Sequence, residues 1–136
     1  MSAEIIISPI LSPILLESRI KYLESLKTLP DNWISGESVK PSVQVISNGI
    51  NFLEKLIEEK NIFQKKSELL ISPIPSGGIG FEFRFNENNA IFTSIFNNKK
   101  LKYILLKDTN YIEKQITYNK LIDTFLKDYQ LFQNKK

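Results

Sequence analysis

The chain has 136 residues, 42% of them apolar and 24% charged, proportions typical of one globular domain. It contains no cysteine and no histidine. This composition excludes disulfides, thiolate chemistry, histidine-dependent catalysis and the usual zinc ligands. The formal net charge is +3, and among 18 basic residues only Arg19 and Arg84 are arginines. We therefore expect no enzyme activity, no cofactor and no metal, and only weak signs of nucleic-acid binding, which favours arginine.

The first 11 residues form an apolar arm interrupted by Pro9. Glu4 precedes the apolar run, and the uninterrupted stretch is far shorter than the ~18 residues of a membrane span. The sequence thus predicts a cytoplasmic protein without a membrane segment. Soluble proteins avoid exposed apolar patches, so the arm either joins its own sheet or packs on another molecule, which is a second copy or a partner. We favour the contact with another molecule. Its candidate partner-binding residues are Ile5, Ile7 and Ile10.

Two helices are predicted next. Ser12 followed by Pro13 is typical of an N-cap and first helical position, and apolar residues recur at helical spacing until Pro30. Pro41 predicts the start of the second helix, whose expected buried face is Val43, Ile46, Ile50, Leu53, Leu56 and Ile57. Gly49 inside this helix predicts close packing against a neighbouring backbone.

The link between these helices, "LPDNWISGESVKPS", contains the only tryptophan, Trp33. An indole usually buries a large area and finds a partner for its N–H. We predict that Trp33 fills a space between the two helices. The alternative is an exposed anchor for a partner.

After residues 60–67 the apolar period changes from helical to alternating. The segments "ELLISPIP", "GGIGFEFRF", "AIFTSIF", "LKYILLK" and a short "YIEKQI" are separated by polar turns. This pattern predicts an antiparallel meander of four to five strands. The Gly77–Gly78 pair predicts a hairpin, because a phosphate-binding P-loop would need a following Lys-Ser/Thr and a helix.

A third helix is predicted in "TYNKLIDTFLKDYQLF", with Thr117 as a possible cap and residues 133–136 as a frayed tail. The predicted fold is therefore α+β. It is a single domain of residues 1–136, a two-layer sandwich in which two N-terminal helices and a C-terminal helix accompany the meander.

Glu82, Arg84 and Lys102 are candidate partner-binding residues on the solvent face of this sheet. Glu82 and Arg84 share one face of a strand and could pair with each other or with Lys102. Lysine pairs at 65–66, 99–100 and 135–136 are typical of solvated turns and tails. With Phe96 and Tyr103 near the middle cluster, a nucleic-acid platform remains the alternative. Glu54, Glu58 and Glu59 lie close together but do not make a metal site without histidine or a second acidic cluster.

Trp33 and Gly36, with the later Pro75-x-Gly77-Gly78-Ile79 strand, resemble a pattern in an uncharacterised family of small bacterial proteins. The resemblance covers residues 29–107. It implies an accessory protein of mobile or defence-linked gene pairs, and its motifs imply turns and core packing rather than catalysis.

These observations together predict a non-enzymatic interaction module, such as an antitoxin, immunity or adaptor subunit of a bacterial defence-type system. Its expected partner is another protein encoded nearby, and a homo-oligomer is possible. A nucleic-acid-binding accessory protein is the alternative, disfavoured by the scarcity of arginine.

Overall fold

The structure is a computed structural model that describes residues 12–30, 33, 39–59 and 67–133. Within these residues the chain forms three α-helices and a five-stranded antiparallel sheet, so the predicted α+β architecture is confirmed. In chain order the elements are α1 (Pro13–Ser25), α2 (Val43–Ile57), β1 (Glu68–Pro73), β2 (Ile79–Asn86), β3 (Asn89–Ile95), β4 (Leu101–Lys107), β5 (Asn110–Lys114) and α3 (Leu121–Gln133).

Helix α1 begins where the sequence predicts. The Ser12 hydroxyl accepts a hydrogen bond of 3.1 Å from the backbone N–H of Leu15. Pro13 follows at a position where a helix needs no N–H donor. A 3₁₀ turn at Leu26–Thr28 ends the helical region before Pro30. The fully buried side chains of α1 are Leu16 and Leu23.

Helix α2 begins later than Pro41 suggests, because Ser42 is its N-cap and accepts a 3.1 Å hydrogen bond from the N–H of Val45. Val43 therefore lies in the first turn and is 65% exposed, so its predicted burial is wrong. The buried face is centred on Phe52, which the sequence pattern missed. Its ring makes edge-to-face contacts, with centroids 5.4 to 6.1 Å apart, with Phe81, Phe83 and Phe125.

Gly49 allows α2 to lie close to both α1 and the sheet. A Cβ atom at this position would stand 3.2 Å from the Phe81 ring and 3.4 Å from the Leu23 side chain. The close approach predicted at this glycine is present, but its neighbours are side chains rather than backbone. Helix α2 is thus enclosed between α1 and strand β2.

The strands lie in the order β1-β2-β3-β4-β5, each antiparallel to its neighbours. This is the predicted meander, with β5 as the short fifth strand. Gly77 adopts φ 103° and donates a 2.8 Å backbone hydrogen bond to Ile74. A Cβ on Gly78 would stand 2.6 Å from the Phe96 ring. Both glycines therefore serve the hairpin between β1 and β2, as predicted.

The β3–β4 and β4–β5 hairpins turn through left-handed residues other than glycine. Asn98 and Lys99 between β3 and β4 have φ values of 62° and 58°. Asp108 and Thr109 between β4 and β5 have φ values of 51° and 72°. Pairs of left-handed residues match the twist of a tight hairpin, but side chains other than glycine are strained there.

Alternation along the strands gives the sheet one face toward the helices. Leu69, Phe83, Ile91 and Leu105 lie directly opposite one another on adjacent strands and are all buried. Ile79, Phe81 and Phe83 of β2 point inward, as the period of two predicts. The predicted inward position of Phe85 is also correct, since its ring stacks on the ring of Phe132 in α3, with the two centroids 4.8 Å apart.

Helix α3 lies on the same face as α2. A 3₁₀ turn at Tyr118–Lys120 precedes it, and Thr117 occupies the N-cap position of that turn, as predicted, although its side chain makes no capping hydrogen bond. The helix extends through Gln133, one residue into the predicted tail. Residues 134–136 and the arm at 1–11 lie outside the described residues. None of the helices described is long and apolar enough to cross a membrane.

Candidate functional site

The face of the sheet opposite the helices is the strongest candidate for a functional surface. Two rows of side chains cross it, because residues paired across antiparallel strands project to the same side. No helix among the described elements packs on this side, and we name it the outer face. The first row is Glu68, Arg84, Ala90, Leu106 and Tyr111, and the second is Leu70, Glu82, Phe92, Ile104 and Glu113.

The outer face is more apolar than the solvated side of an antiparallel sheet usually is. Leu70 at one edge is 55% exposed, and Tyr111 at the other edge is 71% exposed. Phe92 and Ile104 lie between them and are partly buried. The row from Leu70 to Ile104 thus carries large apolar side chains on three of its four strands, interrupted by Glu82.

Arg84 is held in one position on this face, next to the β2–β3 turn. Its Nε lies 2.6 Å from a carboxylate oxygen of Glu82, and its Nη1 donates to the carbonyls of Asn86 and Glu87 at 3.1 and 3.2 Å. The guanidinium also lies 5.7 Å from the centroid of the Phe92 ring. Because both charged side chains are more than a quarter exposed, the pair itself contributes only about 0–1 kcal/mol to stability. Its main effect is to fix a cation against an aromatic ring.

Lys102 shares the outer face with Glu82 and Arg84, as predicted, but it is not the partner of Glu82. It belongs to a third row with Gly80 and Ser94, and strand β3 separates β4 from β2. Arg84 pairs with Glu82 instead, because the two residues are neighbours on one face of the same strand. The other candidates, Ile5, Ile7 and Ile10, lie outside the described residues, and their partner-binding role stays a prediction.

Trp33 is partly buried, and its indole Nε1–H donates a 3.2 Å hydrogen bond to the carbonyl of Val39. Val39 also forms an isolated bridge to Ser76 beside the first hairpin. The expected partner for the indole N–H is therefore found, while burial is only partial. The flanking residues 31–32 and 34–38 lie outside the described residues.

A buried polar cluster joins α3 to strands β4 and β5, and the sequence pattern gave no sign of it. Asp128 is 1% exposed, accepts a 2.8 Å hydrogen bond from the Tyr103 hydroxyl, and lies 2.9 and 3.0 Å from the Lys114 ammonium. Burial, together with the nearby Asp128 charge, raises the pKa of Tyr103 above its ordinary value. Tyr103 is fully buried, so its suggested place in a nucleic-acid platform is wrong.

A second buried hydroxyl pair lies beside this cluster. The hydroxyls of Tyr129 and Ser67 are 3.1 Å apart, and burial raises the pKa of Tyr129 to about 12 although the Ser67 hydrogen bond lowers it. Tyr103 connects α3 to strand β4, and Tyr129 connects α3 to Ser67 just before β1, so both hydroxyls serve the packing of α3. Among the described residues, no group of three acidic side chains is placed to hold a metal ion.

Comparison of the chain with protein-family models, with curated proteins and with solved structures finds no match.

Proposed function

We propose that this protein is a non-enzymatic interaction module that binds another protein through the outer face of its sheet. The observation that carries the proposal is the row Leu70, Phe92 and Ile104, together with Tyr111, on a side of the sheet that no described helix covers. Large apolar side chains grouped on one face of a small domain are typical of an interface, and here Glu82 separates Leu70 from Phe92 within the group. The expected partner is a protein encoded nearby, as for an antitoxin, immunity or adaptor subunit in the cytoplasm.

The chemistry of the outer face supports this proposal. Aromatic residues and arginine contribute most of the binding energy in protein interfaces. Here Arg84 is already fixed against Phe92 by three polar contacts. A partner would therefore not have to order this long side chain, which otherwise costs about 0.5–1.5 kcal/mol on binding.

A pair of matched double variants tests the proposal. Leu70→Glu with Tyr111→Glu places two charges on exposed apolar positions of the outer face. Ile14→Glu with Val43→Glu places the same charges on helix positions that are 79% and 65% exposed. All four sites are exposed, so we expect both double variants to fold.

The measurement is recovery of cross-linked partners from the native host by each tagged variant. We expect the outer-face variant to lose a partner that the wild type and the helix variant both retain. Equal recovery by all three proteins contradicts the proposed surface. Loss by both double variants indicates an effect of charge alone and also contradicts it.

A further inference from the structure

A second surface, on the helix side of the molecule, concentrates positive charge. Two adjoining depressions share Ile116 and have volumes of about 510 and 420 Å³. The first lies along the β3–β4 turn, and the second lies between β5 and α3. We name them together the basic groove, after the lysines that line it: Lys99, Lys100, Lys114, Lys120 and Lys127.

The charge of the basic groove dominates the charge of the protein. Among the described residues that line the groove, Asp123 is the only carboxylate. Lys114 is paired with Asp128, so we leave it out of the charge count of the groove. The remaining four lysines and Asp123 leave a charge of +3, which equals the formal net charge of the entire chain. The remaining basic and acidic residues of the sequence balance in number, so the groove has a local excess of positive charge as large as the net charge of the chain.

The wall of the groove is held in place by contacts to α2. The Ser42 hydroxyl lies 2.8 Å from the amide oxygen of Asn97, which fixes the β3–β4 turn. The Tyr118 hydroxyl donates to the backbone carbonyl of Asn48 at 2.9 Å. The Lys99 ammonium lies 5.4 Å from the centroid of the Tyr118 ring. The turn and the segment before α3 are thus positioned before any ligand arrives.

We propose that the basic groove binds the phosphate backbone of a nucleic-acid duplex without reading its sequence. Lysine is a compact cation suited to phosphate, whereas base recognition relies on the flat fork of arginine, which this groove lacks. The charges extend over two depressions, so they match a series of phosphates better than a single one. In the described part of the chain, Tyr118 is the only aromatic residue that lines the groove, and its ring packs against the core beneath Lys99. It therefore offers no open face for stacking an unpaired base.

The test compares two charge-matched double variants in binding a short fluorescent DNA duplex of mixed sequence. Lys120→Glu with Lys127→Glu reverses two charges of the groove. Lys21→Glu with Lys27→Glu reverses two exposed charges of α1 and its following turn, so both proteins have the same net charge. Fluorescence anisotropy is measured between about 50 and 200 mM salt, the range in which phosphate contacts weaken strongly.

For the wild type, four lysine–phosphate contacts predict that log K falls against log[salt] with a slope of roughly −3.6. We expect the groove variant to bind at least about tenfold more weakly, with a slope flatter by roughly 1.8. The α1 variant should remain within about twofold of the wild type. Absence of binding by the wild type, or equal losses in both variants, overturns the proposal.

Two further measurements complete the test. If the groove variant melts earlier than wild type, Lys120→Gln with Lys127→Gln removes the charges without reversal and should still weaken binding. Vesicles rich in anionic phospholipid provide the other polyphosphate surface. Binding to vesicles but not to the duplex overturns the assignment to nucleic acid. None of these substitutions touches the outer face, so this result is independent of the protein-binding proposal.

Discussion

The buried carboxylate of Asp128 is the contact whose removal should destabilise the protein most clearly. In Asp128→Ala the Tyr103 hydroxyl, which is fully buried, loses its acceptor, at a cost of about 1–3 kcal/mol. Lys114 also loses its partner, but its side chain is 36% exposed and its ammonium can reach water, so this loss adds only about 0–1 kcal/mol. We therefore expect the free energy of unfolding to fall by about 3 kcal/mol.

Two companion variants complete the experiment: one separates the hydrogen bond of Asp128 from its charge, and the other is a control on the same helix. Asp128→Asn keeps an oxygen that accepts from Tyr103, so we expect a loss of only about 1 kcal/mol. Asp123→Ala removes an exposed carboxylate from the first turn of the same helix and should cost about 0.5 kcal/mol. Urea denaturation followed by circular dichroism measures all three. An Asp128→Ala protein as stable as the Asp123→Ala protein would show that the cluster does not hold α3 to the sheet.

Three other perturbations follow from the fold. Stability should fall above pH 10, because Tyr129 keeps its proton until about pH 12 in the folded state while an unfolded tyrosine loses it near 10. Tyr129 contributes a loss of about 1.4 kcal/mol per pH unit in that window, and Tyr103, whose pKa is also raised, adds to the loss. Tyr129→Phe should therefore reduce the loss in alkaline melts without abolishing it. Thr109→Gly should raise the free energy of unfolding by about 1 kcal/mol, since φ is 72° there, and an unchanged or lower midpoint in urea would refute the strain. Deleting residues 1–11 should weaken self-association or partner binding and leave the melting temperature unchanged. If light scattering shows the same assembly as the wild type while the melting temperature falls sharply, the arm is part of the core instead.

Features that depend on adjacent residues could be predicted from the sequence. The inward positions of Ile79, Phe81 and Phe83 follow from an alternation that is complete within one strand. The Ser12–Pro13 start of α1 follows from a cap that spans one turn. Val43 shows the limit of this reasoning. The helix begins after the Ser42 cap, and at that start Val43 faces solvent although we expected it in the core.

Features that depend on distant contacts were not predictable in the same way. Asp128 is buried because Tyr103 and Lys114, from two other elements, converge on it, and no local pattern distinguishes it from the exposed Asp123. The basic groove was likewise not predictable, because its lysines come from two turns, a strand end and a helix. Only the meander, followed by the return of α3 over the sheet, brings them together.

Lys102 lies where the two proposed surfaces approach each other. It projects from the outer face at the start of β4, two residues after Lys100 of the basic groove, and two residues span about 7 Å along a strand. Both proposals therefore predict a specific pattern among variants. Lys102→Glu should weaken the binding of duplex and of a partner that extends to this end of the sheet. Leu70→Glu with Tyr111→Glu should affect only the partner, and Lys120→Glu with Lys127→Glu only the duplex. If one surface bound both ligands, each of these double variants would lose both the partner and the duplex. That result would refute the proposal that the two ligands bind to separate surfaces.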